Sequence, residues 1–240
     1  FGDDPFGDPL WRGFALKIAP DGSMQPMCCG LRSPCGIATS PDGELFYTDN
    51  QGEWCGANKL AQLEPGDFHG HPFGIKSCAN PLWKFAAPGA PPNETLMPDV
   101  AKTIPSFKLP AVWFPYDKMG RSASGFVWNQ TRGKFGPFFE GQLFVGDQYQ
   151  SAVSRVFLET VGGRKQGACF PFRAGLQSGV IRVAWDLEGA LLVGESDRGW
   201  GSLGGKTMGL ERLVWSGATP FEMREVRAQP NGFEVVFTKP

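Results

Sequence analysis

Three acidic residues stand at the same distance from a turn glycine and could do chemistry. Asp49, Asp147 and Glu195 each lie six residues after such a glycine. The three glycines are Gly43, Gly141 and Gly189. Carboxylates can act as general acids or bases, a role open to Asp147, Glu195 and the nearby Asp197. Asp49, Asp147 and Glu195 together with Asn50 could also surround a divalent ion, as in a metal-dependent lactonase. They can also accept backbone hydrogen bonds, which is the interpretation that we favour.

Two further stretches contain residue types that bind ligands. His69 and His71 form an H-x-H pair that could hold a metal ion. A structural role for both histidines is the favoured alternative. The glycines of residues 196–206, with the sequence SDRGWGSLGGK, could cradle an anion with their backbone N–H groups. A flexible, turn-rich loop is an equally good interpretation of that stretch.

The elements that position these residues follow from a repeated hairpin pattern. Each repeat has an apolar run, a tight turn at the glycine and a strand that ends in the acid. Because side chains alternate along a strand, residues two and four after each glycine share a face with the acid. We therefore predict half-buried strands in an all-β protein built as a β-propeller of four-stranded antiparallel blades. Equivalent loops of such blades meet on one face, which is the candidate site.

Composition limits the partners and the compartment. The chain has 23 Lys and Arg against 24 Asp and Glu, without a basic run, so we expect no nucleic-acid partner. No apolar stretch approaches the roughly 20 residues that span a bilayer, and we expect any signal peptide to have been removed or to lie outside this sequence. The cysteine count is even, at six, which predicts structural burial or one to three disulfides of undetermined pairing.

The order of elements predicts three or four blades in a single domain over residues 1–240. Residues 13–31 form a hairpin that turns at Asp21-Gly22, and residues 221–240 form another around Pro230-Asn231-Gly232. Prolines break residues 72–115, which we interpret as an insertion, with a degenerate blade as the alternative. Residues 111–160 supply four strand candidates of one blade, and residues 167–215 a similar set. Closed propellers have 4–8 blades, so the chain is predicted to be part of a larger ring.

Residues 32–52, with the sequence RSPCGIATSPDGELFYTDNQG, resemble a motif of the soluble quinoprotein glucose/sorbosone dehydrogenases and aldose sugar dehydrogenases. The resemblance continues through SGFVWN at residues 124–129, GQLFVGDQYQSAVSRVFLE at residues 141–159 and GVIRVAWDLEGALLVGES at residues 179–196. It implies a six-bladed propeller that binds pyrroloquinoline quinone and calcium.

The resemblance also implies roles for individual residues. Arg32 matches the arginine that holds a quinone carboxylate, a task that suits a guanidinium group. Ser33 and Cys35 stand where the family has Asn and Gln, and Tyr149 stands where it has a lysine. The family's later R-x-R pair falls near Gly179 and Ile181, and Arg173 and Arg182 are the nearby arginines that could replace it. The calcium ligands implied are the side chain of Asn50 and the carbonyl groups of Gln51 and Gly52, because a hard cation requires oxygen atoms.

The function implied is a secreted or periplasmic sugar dehydrogenase, in which a sugar hydroxyl is oxidised by hydride transfer to the quinone. The family's histidine base lies upstream of the arginine motif, so the catalytic residue of this chain is unassigned. The alternative hypothesis is a non-catalytic propeller module that binds carbohydrate or assembles within a larger secreted protein. In both cases another chain or segment is expected to complete the propeller against an exposed apolar side.

Overall fold

A computed structural model describes residues 9–240 of the chain. Residues 1–10 are rich in Gly, Pro and Asp, which predicts a surface arm, and most of them lie outside the described residues. Fifteen strands in the described part form five antiparallel sheets. The first sheet is the hairpin of β1 (Ala15–Ile18) and β2 (Met24–Cys28). The predicted turn is confirmed, since Gly22 has a positive φ of 83° and the Ser23 N–H donates to Asp21 Oδ1 at 2.9 Å.

The first blade contains β3 (Pro34–Thr39), β4 (Leu45–Asp49), β5 (Asn58–Gln62) and β6 (Val112–Phe114) in that spatial order. Residues 72–115 follow β5 in the chain and include β6, the last strand of this blade. They contain a 3-10 helix (Ile75–Ala79), helix α1 (Met97–Thr103) and β6, and they form no sheet of their own. A buried cluster that includes Phe68, Trp83 and Val100 packs this segment against Cys29 and the loop that follows β5.

The second blade contains β7 (Ala123–Trp128), β8 (Leu143–Asp147), β9 (Ala152–Val161) and β10 (Arg164–Arg173). The prediction that residues 111–160 supply all four strands of one blade was wrong. The strand at 112–114 pairs with β5, with Leu60 opposite Val112, and the fourth strand is instead β10. The Ala111 N–H donates to Leu60 O at 2.9 Å, a pairing across about 50 residues that local periodicity does not reveal.

The third blade has three strands, β11 (Val180–Trp185), β12 (Leu191–Ser196) and β13 (Met208–Leu213). The blade predicted over residues 167–215 therefore has fewer strands than expected, because residues 167–173 belong to β10 of the second blade. Four-stranded blades are confirmed for the first and second sheets. The chain ends in the predicted hairpin, β14 (Met223–Gln229) and β15 (Gly232–Phe237).

Innermost strands β3, β7 and β11 lie side by side and bring the blades together. A Cβ atom on Gly36 would lie 2.5 Å from Ser124 O, and one on Gly125 would lie 2.7 Å from Ile181 O. Hydroxyl groups also join successive blades. Thr48 Oγ1 of β4 donates to Ser124 O of β7 at 2.7 Å, and Ser124 Oγ donates to Val180 O of β11 at 2.6 Å. Glycine in the inner strand thus permits a close, hydrogen-bonded approach between successive blades.

Apolar clusters fill both spaces between the three blades. Phe46, Leu60 and Phe114 meet Trp128 and Val145 between the first and second blades. A second cluster joins the second and third blades and includes Phe144, Val180 and Val193. Strand β8 is consequently buried on both faces. The prediction that this strand is half-buried was wrong, because a blade packs on each of its sides.

Arg155 attaches the final hairpin to the second blade. Its side chain is about 1% exposed, and its guanidinium carbon lies 4.1 Å and 4.5 Å from the ring centroids of Phe139 and Phe170. The guanidinium donates to Met223 O at 2.6 Å and to Arg224 O at 3.0 Å. Burial lowers the pKa of Arg155 to about 10, which leaves it charged at neutral pH. The hairpin therefore docks beside β9 and does not become a fourth strand of the third blade.

The third blade has an open face, and the first blade keeps a smaller opening beside the first hairpin, which covers Tyr47 and Ala61. On the third blade Met208 and Leu210 are 71% and 73% exposed, and on the first blade Ile37 is 64% exposed. Residues 9–240 thus form an unclosed arc of blades. None of the helices described within this range is long and apolar enough to cross a membrane.

Candidate functional site

The strand-end acids hold the loops that lead into the inner strands. Asp49 accepts hydrogen bonds from the backbone N–H groups of Arg32 and Ser33 at 3.0 and 2.7 Å. In the second blade, Asp147 accepts from Arg121 N and Ser122 N at 2.7 and 2.8 Å. Both aspartates are almost fully buried. Each carboxylate therefore fixes the residues that precede its blade's inner strand.

The third blade repeats this contact with a glutamate. Glu195 accepts from the Ser178 N–H at 2.6 Å. Burial raises the pKa of Glu195, against the opposing effect of the Ser178 hydrogen bond. The favoured interpretation of the three acids as backbone acceptors is confirmed. Residues 9–240 contain no group of three His, Cys, Asp or Glu side chains suited to hold a metal ion, so the lactonase-like ring is not formed by these acids.

Loops from all three blades open into one pocket of about 320 Å³. Asn50 and Gln51 follow the first acid, Gln148 follows the second and Arg198 follows the third. The prediction that equivalent loops of the blades meet on one face is confirmed. The full lining consists of Arg32, Ser33, Pro34, Cys35, Asn50, Gln51, Arg121, Ser122, Gln148, Arg198, Gly199 and Trp200.

The pocket is cationic. Arg32, Arg121 and Arg198 line it, and none of the described lining residues is Asp, Glu or His. Trp200 adds an aromatic ring that is 44% exposed. Three arginine residues around a water-accessible cavity favour an anionic ligand, because the planar donor pairs of a guanidinium group match carboxylate or phosphate groups.

Each arginine is oriented by neighbouring residues. Arg32 Nε donates to Glu53 Oε2 at 2.9 Å, and the guanidinium lies against Gly52, where a Cβ atom would approach Arg32 Nε to 2.3 Å. The Arg121 guanidinium lies 3.9 Å from the centroid of the Tyr149 ring, a cation–π contact. The Arg198 backbone is held through its N–H to Ser196 Oγ at 3.1 Å.

The structure brings together five of the eight residues that the sequence resemblance singled out. Arg32, Ser33, Cys35, Asn50 and Gln51 line the pocket. Gly52, Tyr149 and Arg182 do not line it. Gly52 supports Arg32, Tyr149 supports Arg121, and Arg182 Nη1 lies 3.6 Å from the sulfur of Cys35.

Arg121 was not identified from the sequence. Residues 32–36 read RSPCG and residues 121–125 read RSASG, so the R-S-x-x-G pattern occurs at the start of both inner strands. That repeat would have revealed Arg121 as the counterpart of Arg32. It stacks on the ring of Tyr149.

The implied calcium ligands differ in availability. Asn50 Nδ2 donates to Ser33 O at 3.0 Å, while Asn50 Oδ1 is buried and accepts no hydrogen bond from the described residues. The Gly52 carbonyl already accepts from the Cys55 N–H at 2.9 Å. A buried, unpartnered oxygen suits a hard cation, but these three ligands are neutral and Arg32 is adjacent. A cation fits here when a bound anion supplies negative charge.

The two histidines occupy different environments. His69 is buried with its ring edge-on to Tyr47 at 5.0 Å, and burial, reinforced by the charge of Lys59, holds its pKa well below the usual value. His71 Nδ1 lies 3.6 Å from Glu53 Oε2, and burial lowers the pKa of His71 although Glu53 opposes the shift. No metal cluster of the kind described above includes them.

No protein-family model and no curated protein matches the chain. Several solved structures match the chain. The chain is 18% identical to the PQQ-bound aldose sugar dehydrogenase from Streptomyces coelicolor, with a TM-score of 0.54 over 84% of this chain and 52% of that one. It is 20% identical to a putative glucose dehydrogenase from Thermus thermophilus, with a TM-score of 0.51 over 79% and 46%.

These similarities define the fold. The chain is a β-propeller segment, and the particular propeller that it resembles is that of the soluble glucose and aldose sugar dehydrogenases. It spans about half the length of the solved structures that it matches. At this level of identity the likeness concerns the arrangement of blades.

Proposed function

We propose that the chain is the quinone-binding part of a pyrroloquinoline-quinone-dependent sugar dehydrogenase. The observation that carries this proposal is the convergence of three arginines on a pocket whose described lining contains no carboxylate. Arg32 and Arg121 precede the inner strands of the first two blades, and Arg198 follows the acid of the third blade. Pyrroloquinoline quinone is a flat polycarboxylate, so it matches planar guanidinium donors and an adjacent indole ring. The fold shared with a PQQ-bound aldose sugar dehydrogenase supports this choice among anions.

The residues of the chain would bind and orient the cofactor. Arg32 is held by Glu53, and Arg121 by the ring of Tyr149 together with the Tyr116 hydroxyl at 3.1 Å. In this proposal Arg121 supplies the positive charge that the family lysine position lacks in this chain. Asn50 Oδ1 and the Gln51 carbonyl would hold the calcium ion.

When bound, the quinone supplies a two-electron acceptor for the hydride of a sugar hydroxyl. Trp200 offers an apolar ring face on which a sugar ring can stack. The described lining contains no general base, so we limit its role to binding, orientation and charge neutralisation. The polypeptide is proposed to act in the periplasm or outside the cell, with further blades completing the ring on the open faces of the first and third blades.

The direct test is a titration of the purified chain with pyrroloquinoline quinone and calcium, followed by tryptophan quenching and calorimetry. We expect saturable binding in the micromolar range, or about −8 kcal/mol. Arg121→Met should weaken it at least about tenfold, because a charge-assisted bidentate pair contributes about 1.5–3 kcal/mol. Arg164→Met removes an exposed arginine away from the pocket and should leave affinity unchanged. Equal affinities of the two variants, or no binding at about 100 µM quinone, would refute quinone binding here.

The absence of an acid–base side chain from the described lining favours a second candidate, a non-catalytic propeller module that binds carbohydrate. In that case the exposed Trp200 ring would carry recognition. Calorimetry with neutral and acidic oligosaccharides, in the absence of quinone, distinguishes the two functions. Sugar binding that Trp200→Ala abolishes, together with no affinity for quinone, would establish this candidate over the first.

A further inference from the structure

Cys29 and Cys78 are the two of the six cysteines that belong to the same buried apolar cluster, and each thiol shifts the pKa of the other. All six are thiols in the structure. Four of them have other surroundings. Cys28 packs between the first hairpin and the first blade, Cys55 and Cys169 donate to the carbonyl groups of Ala57 and Trp113, and Cys35 faces Arg182.

Both members of the pair are held by their backbones. Cys29 N donates to Asp67 O at 3.0 Å, and Cys29 O accepts from His69 N at 2.8 Å. Cys78 lies in the 3-10 helix Ile75–Ala79, where Ser77 N donates to Gly74 O at 2.8 Å and Ser77 Oγ accepts from Trp11 N at 3.0 Å. The two side chains belong to one buried apolar cluster. The backbone hydrogen bonds at each cysteine therefore fix the positions of the two side chains relative to each other.

We propose that Cys29 and Cys78 form a disulfide that ties the segment 72–111 to the end of the first hairpin. The bond forms by thiol–disulfide exchange with a protein or glutathione disulfide. One thiolate attacks the donor disulfide and releases one donor thiol, and the second cysteine then displaces the other. The two cysteine sulfurs are oxidised together by two electrons, and the donor disulfide is reduced to two thiols.

Cys78 is the residue suited to begin the exchange. The interaction with the Cys29 thiol lowers the pKa of Cys78, whereas the same interaction, followed by burial, raises the pKa of Cys29. Cys78 is also the more exposed, at 9% against 1% for Cys29. Since the thiolate is the attacking species, the lower pKa and greater access favour Cys78.

The crosslink would close a loop of about 50 residues, which restricts the unfolded chain. Segment 72–111 contains no strand. It is held by side-chain packing and by a few backbone hydrogen bonds, such as the one from Phe68 N to Ser106 O at 2.7 Å. Reduction is therefore expected to lower the midpoint of thermal unfolding by about 5–10 °C. The inference is independent of the proposed quinone chemistry.

The test is to equilibrate the folded protein in a glutathione redox buffer, alkylate it under denaturing conditions and measure its mass before and after reduction. We expect two cysteines protected from alkylation, and one peptide pair that joins Cys29 to Cys78. Cys29→Ala and Cys78→Ala should each abolish protection and make thermal unfolding insensitive to reduction. Cys28→Ala, at a neighbouring buried cysteine, should retain both the crosslink and the shift on reduction.

Three results would overturn the proposal: six alkylated cysteines in the oxidised wild-type protein, a crosslink from Cys28 instead of Cys29, or an unfolding midpoint that reduction leaves unchanged. The mass measurement on wild-type protein does not depend on whether the alanine variants fold. Quinone binding, measured separately on the same samples, can fail or succeed without affecting this outcome.

Discussion

Individual carboxylates in this protein determine local geometry through the backbone. Asp49, Asp147 and Glu195 could each have served as catalytic acids, but their hydrogen bonds go to the N–H groups that precede the inner strands. The buried carboxylates of Asp49 and Asp147 thereby fix the backbones of Arg32 and Arg121, which line the pocket. The chemistry of the pocket is consequently carried by cations, while the acids orient them.

Asp147→Asn tests this role. The carboxylate accepts two short backbone hydrogen bonds through Oδ2, from Arg121 and Ser122, and an amide cannot match both charge-assisted contacts. We expect the free energy of unfolding to fall by about 2–4 kcal/mol in urea denaturation. Asp42→Asn, at an exposed turn residue, should change it by less than about 0.5 kcal/mol. A similar small change for both variants would contradict the proposed clamp.

His69 should make stability depend on pH. It stays neutral in the folded state because burial lowers its pKa well below 6.5, whereas it gains a proton in the unfolded state as the pH falls through about 6.5. Stability is therefore complete above that pH and decreases below it, by up to about 1.4 kcal/mol per pH unit for this residue.

The measurement is urea denaturation of wild-type and His69→Phe proteins between about pH 7.5 and 5.5. The variant should show a smaller slope but retain part of it, because burial also lowers the pKa of His71. A wild-type stability that is constant or rises as the pH falls would contradict the assignment of His69 as a buried neutral group.

At the scale of elements, the inner strands require a residue without a side chain. Gly36→Ala places a Cβ atom 2.5 Å from Ser124 O and 2.8 Å from Thr48 Oγ1, in the contact between the first and second blades. We expect a loss of about 1–3 kcal/mol in the free energy of unfolding, because the blades must separate slightly. Gly89→Ala meets no atom within 4 Å and serves as the control, with a neutral or slightly stabilising effect. Equal stability of the two variants would show that the blades are not in close contact at Gly36.

For the whole molecule, the open blade faces should govern its behaviour in solution. Met208 and Leu210 on one face and Ile37 on the other expose apolar surface where a propeller would pack a further blade. We predict that the isolated chain associates with itself in a concentration-dependent way, measured by light scattering after size-exclusion chromatography.

The double variant Met208→Lys with Leu210→Glu should reduce that association because it places charges on the open face of the third blade. Leu187→Glu changes a residue that is 96% exposed at a turn, and should leave the association unchanged. A chain that stays monomeric at all concentrations, or a double variant that associates like wild type, would argue against these faces as the contact.

The sequence by itself determined the local features of this protein. The Asp21-Gly22 turn, the terminal hairpin and the acids that close β4, β8 and β12 depend on turn chemistry and on the alternation of side chains, which act over a few residues. The resemblance over residues 32–52 located one side of the pocket, because Arg32, Ser33 and Asn50 are close together in the chain or on neighbouring strands of one hairpin.

The tertiary structure alone decided which distant elements meet. β6 pairs with β5 across about 50 residues, Arg121 reaches the ring of Tyr149, and the last hairpin docks on Arg155 of the second blade. Such contacts depend on which faces can be buried together and on the entropy of closing long loops. Neither quantity is encoded by the spacing of residues within one strand, so the cationic pocket became complete only when three blades were packed side by side.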